Sequence, residues 1–129
     1  MNLRALLTLN AILATLHGLG FILAPALLLS LYRITQAPGT SLLGQLFGTE
    51  LLVVAITCWK GRDFTSTSAL SALVLAGLVA NAVGAIICVR ATLNGVMGVT
   101  GWLGVLIYGV LTIGYLSVQL RKGYNASAA

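Results

Sequence analysis

The chain has 129 residues, of which 59% are hydrophobic and only 7% charged, and its mean hydropathy is +1.04. Soluble domains carry roughly 25% charged residues, so this composition excludes a water-soluble globular fold and indicates an integral membrane protein. The formal net charge of +5 comes from seven basic residues against two acidic ones. They stand singly or in pairs at the ends of apolar runs, as topology signals do, and nucleic acid is not expected as a partner.

A helix crossing a hydrocarbon core of about 30 Å needs roughly 20 residues. Four runs meet that length, at about 5–24, 42–59, 67–89 and 96–120. The expected fold is a single all-α transmembrane domain over residues 1–129, a four-helix antiparallel bundle in the lipid bilayer. Arg4, an apolar stretch and Ala24-Pro25-Ala26 loosely imitate a signal peptide, but the run is longer than a signal core and carries Asn10 and His17. Pro25 lacks a backbone donor and disfavours helix just before it, so the first run either kinks there or ends. If it ends, PALLLSLYRI is a short interfacial helix with Tyr32 and Arg33 at its rim.

Residues 35–40, TQAPGT, hold the Pro38-Gly39 turn signal. The second span is expected to stop at Lys60-Gly61-Arg62-Asp63, and the third to follow a Ser/Thr-rich stretch and end at Arg90. Asn94-Gly95 marks a turn. The fourth span is expected to stop at Arg121-Lys122-Gly123, with NASAA as a frayed tail. Four spans place Arg4, Lys60, Arg62, Arg121 and Lys122 on one side and only Arg33 and Arg90 on the other. Both termini are therefore expected in the cytoplasm. Cys58 and Cys88 then fall at opposite membrane boundaries, too far apart for a disulfide, and read as small apolar packers.

Lipid gives helices no hydrophobic reason to associate, so small residues that allow close backbone approach do that work. Gly44 and Gly48 with Ala55 form one stripe, Gly77 and Gly84 with Ala80 another, and Gly101 and Gly104 with Gly98 and Gly109 a third. Such stripes serve packing within the bundle, a homo-oligomer, or docking onto a larger membrane complex.

Glu50 is a carboxylate in the middle of an apolar span, which marks a polar network or a functional site. Counting 1.5 Å per residue puts His17 at roughly 18 Å, Glu50 at roughly 14 Å, Asn81 at roughly 21 Å and Tyr108 at roughly 18 Å from the cytoplasmic side. One polar group per span in a common layer suggests that Glu50 accepts hydrogen bonds from His17 and Tyr108, with Asn81 bridging. Asn10, two turns before His17, and Thr57, two turns after Glu50, extend the stripe inward. On this reading Glu50→Leu destabilises the bundle more than Glu50→Gln. No metal or cofactor is expected: there is no ligand cluster, phosphate loop or serine elbow, and a haem held by two histidines needs a second chain.

The runs HGLGFILAPALLLSLYRI and LFGTELLVVAITCWKGRD resemble the small four-span bacterial membrane proteins grouped as DoxX-like, over about the first half of the chain. The resemblance implies a multi-pass protein of the bacterial inner membrane, carries over no catalytic residue, and favours an interaction role. The leading expectation is a non-enzymatic protein acting by helix association, as an accessory subunit or assembly factor. The alternative is a small transporter or a ligand- or proton-binding protein that uses the mid-membrane polar layer.

Overall fold

The computed structural model describes residues 2–64 and 67–127. It contains α1 (Leu3–Leu23), α2 (Pro25–Leu31), α3 (Pro38–Gly61), α4 (Thr67–Leu93) and α5 (Gly101–Ser127), with no strand among the described residues. All of these except α2 are long and apolar enough to cross a membrane. The protein is thus a multi-pass integral membrane protein built as an all-α bundle of four spans.

Local chemistry sets each boundary. Asn2 caps α1, its Oδ1 accepting from the Ala5 amide at 2.8 Å. The chain does not kink through Pro25 as one helix: Ala24 leaves helical geometry at φ −142° and ψ 58°, and Pro25 opens α2. The α2 end is tied off as a Schellman motif. Ile34 N–H donates to Leu29 O and Arg33 N–H to Ser30 O, each at 3.0 Å, with Arg33 at φ 55°. Pro38 starts α3, where Thr40 Oγ1 accepts from the Ala37 amide at 2.8 Å.

Four boundaries differ from those expected. The second span starts not near residue 42 but at Pro38, because the Pro38-Gly39 pair expected in a turn opens the helix instead, proline being suited to the first helical position. The third span continues past Arg90 to Leu93. The fourth begins at Gly101 rather than near residue 96, because the loop before it is drawn onto α2: Gly98 N–H donates to Tyr32 O at 3.0 Å, and the Thr100 hydroxyl donates to Leu31 O. At the other end α5 runs through Arg121-Lys122-Gly123 to Ser127, so most of the expected tail is helical, while Ala128 and Ala129 lie outside the described residues. Arg and Lys end an apolar run but are good helix formers, so polarity marked the membrane boundary and not the end of the helix.

The helices pack mainly as two antiparallel pairs, α1 on α3 and α4 on α5, with smaller contacts of α1 with α5 and α3 with α4. In the first pair backbone meets backbone, since a Cβ on Gly48 would lie 2.7 Å from Gly18 O. In the second pair rings lie on glycines: Tyr115 covers Gly77 and Tyr108 covers Gly84, while Gly104 faces Cys88 and Gly101 faces Thr92. Gly44 sits against Phe21. The two pairs join where Leu6, Leu7 and Ala11 of α1 meet Cys58, Val74, Leu111, Tyr115 and Val118. This core lies toward the end of the bundle where α1 starts and α5 finishes, below called the terminal end, where Arg4 and Asp63 pair at 3.6 Å.

Replacing Gly48 by Leu forces apart its backbone contact with Gly18. It is expected to cost about 1 to 3 kcal/mol, read as a lower midpoint of thermal unfolding in detergent. Gly109→Ala, where nothing lies within 4 Å of the added Cβ, leaves that midpoint unchanged.

Candidate functional site

The polar groups that the fold brings together are not the layer expected from depth. Asn10 Nδ2 donates to Tyr115 Oη at 2.7 Å, both residues buried, and Tyr115 Oη lies 3.7 Å from Cys58 Sγ. With its oxygen accepting from Asn10, the Tyr115 hydroxyl can direct its proton to the sulfur. The Tyr115 ring is fully buried against Gly77, where a Cβ would lie 2.5 Å from ring Cζ. The Gly77 carbonyl in turn accepts from Asn81 Nδ2 at 2.7 Å. Asn10, Cys58, Gly77 with Asn81, and Tyr115 come from α1, α3, α4 and α5, so this chain of contacts touches every span.

Among the described residues no hydrogen bond links any two of His17, Glu50, Asn81 and Tyr108. His17 is half-buried and its Nδ1–H donates to the Leu13 carbonyl of its own helix at 2.9 Å. A carbonyl only accepts, so this contact requires the proton on Nδ1 and leaves Nε2 free in the neutral ring. Asn81 likewise bonds within its own helix. Tyr108 is half-buried with its ring on Gly84. Glu50 is exposed, with no hydrogen-bond or ion-pair partner among the described residues, on an α3 face it shares with exposed Leu43, Leu46, Phe47, Val53 and Val54. Thr57 is exposed as well. The reason is rotation rather than depth: Gly48 faces α1, and two residues further on at 100° each turns Glu50 about 200° away.

Tyr115 is the residue that depth counting missed. Its signal is a matched spacing: Tyr108 and Tyr115 are seven apart on one span, as are Gly77 and Gly84 on its neighbour. Two rings at that interval fit two glycines at the same interval on an antiparallel helix. At the far end of the bundle Tyr32 is half-buried, and burial, followed by the nearby Cys88 thiol, pushes its hydroxyl above the ordinary tyrosine pKa. Both cysteines are free. Among the described residues no three His, Cys, Asp or Glu side chains gather as a metal-holding group.

What this arrangement can do chemically is limited and specific. The Asn10, Tyr115 and Cys58 contacts lock the two helix pairs together, while the Glu50 face offers an unpaired acceptor to whatever lies beside α3. Comparison of the chain with protein-family models, with curated proteins and with solved structures finds no match.

Tyr115→Phe removes the acceptor of Asn10 and strands a buried amide. It is expected to cost about 1 kcal/mol and to leave Asn10→Ala nearly silent in the Phe background. A double-mutant cycle on detergent unfolding reads that coupling, and additive single effects would rule it out.

Proposed function

We propose that this protein is a non-enzymatic subunit that works by helix association, as an accessory or assembly component of a complex in the bacterial inner membrane. The observation that supports this most is Glu50. Intramembrane carboxylates face a bundle interior or a water-filled cavity and pair there, because exposure to hydrocarbon is expensive. Glu50 instead faces away from its own bundle, with apolar neighbours around it. A partner helix that brings a hydrogen-bond donor or a cation to this face completes the pairing, and the exposed Leu43, Leu46, Phe47, Val53 and Val54 supply the apolar contact around it. The bacterial inner-membrane setting rests on the DoxX-like resemblance and on the basic residues gathered at one membrane side.

The transporter alternative asks His17, Glu50, Asn81 and Tyr108 to line one path. His17 and Asn81 bond to carbonyls of their own helices, Tyr108 lies against Gly84 and Glu50 faces outward, which favours association.

The test is recovery of partners from mild detergent by tagged wild type, Glu50→Gln and Glu50→Leu, identified by mass spectrometry. Wild type is expected to carry a near-stoichiometric partner, either a different subunit or a second copy. Gln retains part of that recovery and Leu reduces it tenfold or more. Because Glu50 has no partner in its own bundle, the thermal midpoint of isolated Glu50→Leu stays at or above that of wild type, the reverse of the order expected from a buried network. Equal recovery by all three proteins would sink the proposal.

A further inference from the structure

The terminal end of α3 holds a cation in a fixed position with no carboxylate to answer it. Arg62 closes α3, and its guanidinium carbon lies 3.4 Å from the centroid of the Trp59 ring. Its Nε donates to the Trp59 carbonyl at 2.9 Å, and its Nη1 reaches Thr8 Oγ1 at 3.5 Å. The Thr8 hydroxyl spends its own proton on the Arg4 carbonyl at 2.8 Å, so its oxygen is free to accept from Arg62. The chain has only two acidic side chains. Asp63 pairs with Arg4, and Glu50 lies within the span. Stacking and two hydrogen bonds thus order the Arg62 guanidinium while its charge stays unmatched among the described side chains.

A largely apolar groove lies beside Trp59, the ring on which this cation stacks. Ala11, Ile12, Thr15 and Leu16 of α1 and Trp59 of α3 line a space of ≈ 260 Å³ open to the surroundings. Ile12 and Leu16 are exposed, so at this depth the groove faces hydrocarbon. Nearer the start of α1, Asn2, Arg4 and Thr8, together with Ala5, Leu9 and Ile12, border a wider depression of ≈ 520 Å³. Along α1 the polar and cationic groups Asn2, Arg4 and Thr8 thus stand toward the boundary, and over about 12 Å from Thr8 to Leu16 the groove presents Ala11, Ile12 and Leu16 with one threonine, Thr15. That sequence of chemistries matches a phospholipid, a phosphate at the level of the arginines and a chain below it.

We infer that this strip of α1, with Trp59 and Arg62, is a binding site for one anionic phospholipid of the leaflet on the terminal side. The phosphate sits on Arg62, whose fork suits paired hydrogen bonds to two phosphate oxygens. Arg4, shared with Asp63, faces the rest of the headgroup. One acyl chain fills the groove between α1 and Trp59. Anionic headgroups are preferred because the +5 chain places no second acid at this end to offset the cations.

The test is native mass spectrometry of the full chain in mild detergent, titrated with phosphatidylglycerol or with phosphatidylcholine of the same acyl chains. Wild type is expected to retain one phosphatidylglycerol at least fivefold more tightly than phosphatidylcholine. Arg62→Gln brings the two to equality, whereas Arg90→Gln at the opposite end leaves the preference intact. Thr15→Trp, which fills the groove without touching the cation, weakens both lipids, and inorganic phosphate at millimolar concentration fails to displace bound phosphatidylglycerol. No preference in wild type overturns the inference, as does an unchanged preference in a folded Arg62→Gln. Displacement by inorganic phosphate alone also overturns it, since the site is then a simple anion site without a chain groove. If Arg62→Gln does not fold, the Thr15→Trp and phosphate arms decide the matter on their own.

Discussion

The two helix pairs are joined where the Tyr115 ring lies flat on Gly77 and its hydroxyl takes a hydrogen bond from Asn10. In a membrane neither half of that contact is replaced by hydrophobic pressure, because lipid tails solvate an apolar side chain as well as a neighbouring helix does. The ring needs a position with no side chain opposite, and the amide needs a partner once water is gone. Both needs meet in one residue that touches α1, α3 and α4 at once. The core of Leu6, Leu7, Ala11, Val74, Leu111 and Val118 condenses around it. Toward the far end the pairs depend instead on the loop of Gly98 and Thr100 bonding to the end of α2.

The α3 helix has two unlike faces because of a two-residue offset. Gly48 is pressed against Gly18 so closely that each leaves no room for a side chain on the other. That fixes the rotation of α3, and the rotation sends Glu50 outward. The same glycine that closes the α1 and α3 pair therefore exposes the carboxylate, and a bundle with Glu50 inside would have to give up the Gly18 and Gly48 contact. The proposed association through the Glu50 face of α3 rests on that rotation.

Charge is distributed to match. Arg4 and Asp63 answer each other at the terminal end, while Arg62 is held by an aromatic ring and a threonine rather than by an acid. The outward surface of the bundle thus presents an acceptor at mid-membrane and a cation at the boundary, on different faces. As proposed, the first meets a partner helix and the second a lipid.

The membrane class and the count of four spans were legible in the sequence, and Pro25 marked a kink or an end of the first span without deciding between them. They follow from composition, from run length against bilayer thickness and from the backbone limits of proline, none of which needs a partner to be known. Depth along each span is a count at constant rise and needs no knowledge of packing. Rotation about each helix axis was not, and neither was the pairing of helices, because both depend on which glycine meets which neighbour. His17, Glu50, Asn81 and Tyr108 shared a depth on paper, but packing turned Glu50 outward and left His17 and Asn81 bonded to their own helices. Only the tertiary structure decided that Asn10 finds Tyr115, that Arg62 finds Trp59 and Thr8, and that Glu50 faces away. Side-chain direction is set by the contact between helices, and a one-dimensional pattern does not contain that contact.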